Sequence, residues 1–200
     1  VTGKRNNRRT LYTKKVIRES FLELLRYKEL ETITVTDICR SADINRGTFY
    51  RYYRNPLDLM QHLQDELYRR SMYLIKQRFK GDSCEMLGTI FEVLKSTDPE
   101  IVKVIIDKQK GYTFLEEIFD GAKEATRPFL MQRINWLTDV QFDYFYAYIT
   151  NGAIGVISQW IRSGMSHDTD KIEKTFSSMF EQSKKFMEDK GSKFHKSETK

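Results

Sequence analysis

Two hundred residues, 40% of them hydrophobic and 13% aromatic, suffice for one or two domains with a sizeable core, which excludes a disordered or fibrous chain. The net charge of +6 is confined to the first third, where residues 1–60 hold 13 lysines and arginines against 7 acidic residues; residues 61–200 hold 21 of each. A basic segment on a neutral body is not a uniformly basic surface binder but the electrostatic footprint of a nucleic-acid reader.

Only 3 prolines and 10 glycines interrupt the chain, and few stretches alternate as strands do, so an all-α fold is expected. No apolar run reaches the roughly 18 residues of a membrane span, and no apolar segment follows the basic N-terminus. A cytoplasmic protein without membrane contact is the expectation. Cys39 and Cys84 match no metal-ligand spacing and build no disulfide framework. Cys39 reads as a small buried residue, with a redox switch as the alternative. Neither a cofactor nor a metal is expected.

In chain order, residues 1–9 (VTGKRNNRR) are basic and aperiodic, which suits a flexible arm along phosphates or in a minor groove, or equally a solubilising tail. A helix is predicted from about Thr10 to Arg26, burying Val16, Ile17, Phe21, Leu24 and Leu25. Tyr27 to Ile33 form a connection. Thr34 and Asp37 then make a capping box, and Val35, Ile38 and Ala42 give the following short helix one apolar face. Asn45 can cap a second short helix with Arg46, Gly47, Thr48 and Tyr50 in its first turns, while Phe49 and Tyr53 face a small core. A helix opening on Arg-Gly-Thr-x-Tyr suits a major groove: Arg46 can fork onto a guanine edge, Thr48 can touch a thymine methyl or a phosphate, and Gly47 permits close backbone approach. Thr36, Tyr50 and Tyr52 carry hydroxyls for phosphates, and Arg51 and Arg54 either neutralise phosphates or stand as solvated charges.

The string TVTDICRSADINRGTFYRYYRN closely resembles the DNA-binding domain of the tetracycline-repressor-like (TetR) family of transcription regulators, from about Arg9 to Met60. The resemblance implies that Arg46, Gly47, Thr48, Tyr50 and Tyr52 lie at the DNA face, and the chemistry of Thr36, Asn45, Arg51 and Arg54 adds these four to the expected DNA-binding set. It departs at Pro56, where the family often places a phosphate-binding Lys. Asn55 can still cap that helix with Pro at its first position, leaving later amides for a phosphate.

Helix four is predicted from Pro56 to about Phe79. His62 and Glu66 lie four residues apart on it, as half a metal site or as an ordinary surface pair. Further helices are expected from about Cys84 to Lys95, from Pro99 to about Lys108, and over Thr113–Asp120, with a break near Gly121 and a firmer one at Pro128. Residues 138–165 read as a long apolar helix capped by Thr138 and stopped at Gly164, followed after Asp168 by an amphipathic helix to about Met187. Small residues on the first of these helices (Ala147, Gly152, Ala153, Gly155, Ser158), with Ile161, Phe176 and Phe180, are the expected dimer face, the alternative being the core of a monomeric bundle. The run GAIGVISQWIRSGM resembles one branch of the family's C-terminal regulatory and dimerisation domains.

Three segments follow: a basic arm and helix-turn-helix domain at 1–55, a regulatory and dimerisation domain at 56–188, and a disordered tail at 189–200. The resemblance implies a homodimeric repressor on a near-palindromic double-stranded operator, released by a small-molecule effector in the C-terminal domain. Candidate pocket aromatics are Tyr73, Phe91, Tyr112, Phe114, Phe119, Trp136, Phe142, Tyr144, Phe145 and Tyr148, each of which could instead be filled core. An activator or adaptor governed by a protein partner shares the same reader. An all-helical enzyme is the remaining alternative, but no phosphate loop, G-x-S-x-G, HExxH or Cys/His cluster supports one.

Overall fold

In the computed structural model the described residues are 2–80, 83–106, 114–133 and 137–194, and their regular structure is helical throughout. In chain order the elements are α1 (Thr2–Leu25), a 3-10 turn (Leu30–Thr32), α2 (Val35–Ser41), α3 (Arg46–Tyr50), α4 (Pro56–Arg78), α5 (Ser83–Lys95), α6 (Pro99–Ile106), α7 (Phe114–Arg133), α8 (Asp139–Arg162) and α9 (Thr169–Phe194). Contacts divide the chain into two compact units, residues 1–67 with 98–105 and residues 68–97 with 106–200.

The first unit is built on local signals. α1 starts at Thr2, so the stretch expected to be a flexible arm is helical; it contains one glycine, no proline and several good helix formers, and it extends a helix anchored by fully buried Ile17 and Phe21. At the start of α2 the capping box is complete. The Asp37 N–H donates to Thr34 Oγ1 (3.1 Å), and the Thr34 N–H and hydroxyl donate to Asp37 Oδ2 (3.1 and 2.8 Å). α2 ends in a Schellman motif, with Asp43 at φ 50° and the Ile44 N–H on the Cys39 carbonyl (3.0 Å). Asn45 caps α3, which Phe49 anchors in the core.

The first unit extends past the expected boundary at residue 55. Leu59, Met60, Leu63 and Leu67 on α4 are buried, as are Ile101 and Val102 of α6. His62 lies edge-on to Tyr53 at 5.4 Å and Glu66 pairs with Arg18 at 3.2 Å.

The second unit contains the rest of α4 with α5, α7, α8 and α9, with packing between α5 and α9, α7 and α8, and α8 and α9. Its core gathers Leu137, Phe142, Phe145, Tyr146 and Phe180, and Phe91 meets Trp160 edge-to-face at 5.0 Å. The expected interruptions at Gly121 and Pro128 do not occur. α7 runs unbroken because Ile118, Phe119, Ala122 and Thr126 bury one face, and this outweighs the single N–H that Pro128 withholds. Gly121 serves a close approach instead, since a Cβ there would collide with the Tyr68 hydroxyl. α8 opens on a Thr138–Gln141 capping box. It closes in a second Schellman motif, with Gly164 at φ 76° and the Met165 N–H on the Trp160 carbonyl (3.0 Å). α9 continues to Phe194, so residues 189–194 of the expected disordered tail are helical, and residues 195–200 lie outside the described residues.

Candidate DNA interface and regulatory core

Two rigidly capped helices present the sequence-predicted reader. Asn45 Oδ1 accepts both the Thr48 N–H (2.7 Å) and the Thr48 hydroxyl (3.0 Å). Asn45 therefore shapes α3 from its cap position, and the Thr48 hydroxyl proton is already committed. Buried Phe49 turns its neighbours outward, leaving Arg46, Gly47, Tyr50, Arg51 and Arg54 exposed and Thr48 and Tyr52 half-buried. Lys14 of α1 stands 5.7 Å from the Tyr52 ring centroid and adds positive charge beside this edge. The Arg46 guanidinium donates from Nη2 to Thr36 Oγ1 at 2.7 Å, which ties α3 to α2 across the turn.

At the start of α4, Asn55 Oδ1 accepts the Asp58 N–H and the Asp58 carboxylate accepts the Arg54 N–H, both at 2.8 Å. Of the later amides expected to meet a phosphate, that of Asp58 is taken, and an acidic side chain occupies the first turn. Beneath the reader, the Thr34 hydroxyl, the Thr34 N–H and Lys28 hold the Asp37 carboxyl at a pKa of about 2. Burial pushes the Cys39 thiol above its ordinary value, which suits a buried structural residue.

The aromatic residues of the second unit separate into two groups. Phe119 and Phe145 line a cavity of about 40 Å³ together with Phe79, Leu130, Tyr146 and Phe176. Its wall is apolar, and the Tyr146 hydroxyl is spent on the Phe119 carbonyl at 2.6 Å, with burial pushing its pKa upward. Phe91, Phe114 and Phe142 are buried, Phe91 against Trp160, and none of them lines this cavity. Tyr73, Tyr144 and Tyr148 are 64%, 77% and 64% exposed, the Tyr148 hydroxyl lying 3.4 Å from Ser183 Oγ on α9, which corrects the expectation that they line a pocket. Tyr112 and Trp136 lie outside the described residues. The expected dimer residues also divide. Ala147, Gly152 and Gly155 are exposed and Ile161 is half-buried, whereas Ala153, Ser158, Phe176 and Phe180 are buried within the protomer and cannot meet a partner without rearrangement. Sequence reasoning passed over Val140, which is exposed and apolar; its spacing of four residues from Tyr144 on α8 was the available signal. Among the described residues no three acidic, histidine or cysteine side chains cluster as a metal site, and no helix is long and apolar enough to cross a membrane.

A capped helix-turn-helix with an exposed Arg-Gly-Thr-x-Tyr edge, followed by an all-helical unit, defines a DNA-binding transcriptional regulator. A profile of the TetR transcriptional regulator C-terminal region matches residues 81–182, and the chain belongs to the TetR family. Over 138 residues it is 25% identical to the HTH-type dhaKLM operon transcriptional activator DhaS of Lactococcus lactis, spanning 69% of this chain but only 65% of that protein. The HTH-type transcriptional regulator YxbF of Bacillus subtilis is 37% identical over 59 residues, 29% of this chain and 16% of that one. Among solved structures, the dihydroxyacetone kinase operon activator DhaS superposes with a TM-score of 0.65 at 17% identity, covering 88% of this chain and 98% of its own. A TetR transcriptional regulator from Streptococcus agalactiae gives 0.62 at 21% identity, covering 88% and 97%. These relatives are regulators rather than enzymes.

Proposed function

We propose that the chain is a cytoplasmic homodimeric repressor that reads a near-palindromic operator through Arg46 and Thr48, with Thr36, Tyr50, Arg51, Tyr52 and Arg54 docking phosphates. The observation that carries this reading is the exposed edge of α3, a five-residue helix whose reach covers few bases, so that specificity requires a second copy. The outer face of α8 supplies a surface for that copy. Val140, Tyr144 and Tyr148 are exposed there, and an open groove of about 680 Å³ runs beside Gly152, Gly155, Lys171 and Ile172. Release follows from the apolar cavity. At about 40 Å³ it is far below the roughly 300 Å³ that a drug-sized ligand needs, so an apolar effector binds an expanded form and shifts the population toward it. The continuous helix α4, shared by both units, is the covalent route from that change to the reader.

Selection of bound sequences from a random duplex pool tests the reading. A near-palindrome is expected, and Arg46→Ala should weaken specific binding by about 1–3 kcal/mol and relax one base position per half-site. A folded protein that enriches no sequence refutes it. The likeness to an activator of the dhaKLM operon favours a second reading, in which the same reader recruits rather than blocks transcription. Activation of a reporter whose operator lies upstream of the promoter distinguishes the two.

A further inference from the structure

We infer that Thr36 is a positioning residue for base readout: its hydroxyl, held on α2, fixes the guanidinium of Arg46 on α3 and links phosphate docking to recognition. The inference rests on the assignment of Arg46 as a base-reading residue. Thr36 Oγ1 accepts from Arg46 Nη2 at 2.7 Å, across ten residues of chain and the turn of the motif. Both ends of this bond are fixed. Thr36 lies inside the Thr34–Asp37 capping box, on a helix anchored by buried Ile38 and Cys39. Arg46 opens a helix capped by Asn45 and anchored by Phe49.

An arginine at the first position of a short exposed helix has several rotatable bonds, and without a partner its fork would sample many directions. The bond to Thr36 uses one of five N–H donors and leaves the others free for a base edge. A hydroxyl accepts and donates at once. With its acceptor side on Arg46, Thr36 still has its own proton to give to a phosphate oxygen. One oxygen can thus join a backbone contact that carries no sequence information to a side chain that does, so that correct docking of α2 orients the fork of α3.

The test compares the full-length protein with Thr36→Val, Thr36→Ser and Arg46→Ala on the selected operator and on duplexes changed at single bases. Valine keeps the shape of threonine and removes the oxygen; serine keeps the oxygen. The position whose preference is lost in Arg46→Ala identifies the base that Arg46 reads. At that position Thr36→Val should reduce discrimination by about tenfold while leaving the preferences at other positions intact, and Thr36→Ser should restore most of it. Thermal unfolding of each variant separates these effects from loss of fold. If Thr36→Val weakens all duplexes equally and keeps full discrimination, Thr36 is a phosphate contact alone and the inference is overturned. If Arg46→Ala alters no base preference, the assignment of Arg46 itself fails, and the inference falls with it.

Discussion

Gly155→Leu separates folding of the protomer from assembly of the dimer. Gly155 lies in the interior of α8, and no heavy atom stands within 4 Å of the point where a Cβ would be placed. Within one protomer the new Cβ therefore meets nothing and the rest of the leucine extends over the open groove, while the helix gains by losing the conformational freedom of glycine, about 0.5–1 kcal/mol. In a dimer built on this face the same side chain enters a close helix approach, where overpacking costs about 1–3 kcal/mol. Two-fold symmetry repeats the insertion, so the dimer is expected to weaken by about 2–6 kcal/mol, at least roughly thirtyfold in Kd. Sedimentation velocity over a dilution series reads the assembly. Urea unfolding followed by helicity below the dimer Kd reads the protomer, which keeps the two free energies apart. A stable dimer of unchanged Kd would place the interface elsewhere. A protomer destabilised by the leucine would show that Gly155 is not in open space.

Other substitutions test the reader and the second unit. Asp43 holds φ 50° in the turn between α2 and α3, so Asp43→Gly should stabilise the protein by about 0.5–1 kcal/mol, read as a higher urea midpoint at constant slope. The folded Asp37 carboxyl titrates near 2 against an ordinary 3.8. Its contribution to stability is therefore present above about pH 4 and lost as pH falls through 2, and Asp37→Asn should remove that component from the acid limb of a thermal-stability profile. Gly121→Ala should lower stability through collision with the Tyr68 hydroxyl, and Tyr68→Phe in the same chain should restore most of the loss. A Gly121→Ala variant stabilised by the helix propensity of alanine would contradict the close approach.

The legible parts of this fold are those specified within a few residues of chain. Thr34 with Asp37, Asn45 with Thr48, and Thr138 with Gln141 each exchange side-chain and backbone hydrogen bonds three residues apart, so a sequence reader meets both partners together. Gly164 marks the end of α8 for the same reason. What escaped is set by packing. Pro128 and Gly121 read locally as breaks, but the buried face of α7 carries the helix through them. The phase of α8 escaped too, because its small and aromatic residues occupy both sides and a helix apolar all round does not declare which face is inward. Ala153 and Ser158 turned inward while Gly152 and Gly155 turned outward; Phe145 turned inward while Tyr144 and Tyr148 turned outward.

That division changes the functional argument. Tyr144 and Tyr148, taken from the sequence as pocket aromatics, stand on the solvent side of α8 four residues apart, and Val140 continues the line four residues before them. One exposed aromatic needs no explanation, but three large apolar side chains in register on one helical face, with Ala147, Gly152 and Gly155 exposed on the same helix, form a patch that a soluble monomer rarely keeps. Withdrawing the two tyrosines from the pocket therefore reduces the aromatic wall available to an effector and enlarges the surface available to a second copy. The case for the dimer then rests on the outward stripe of α8 rather than on Ala153, Ser158, Phe176 and Phe180, which are spent on the core. The effector, if it enters at the Phe119–Phe145 cavity, meets apolar side chains in a space too small to hold it, so binding and core expansion are one event. A core close-packed around so little free volume has no intermediate degree of opening to offer, and this makes a two-state response the physical expectation for the regulatory unit.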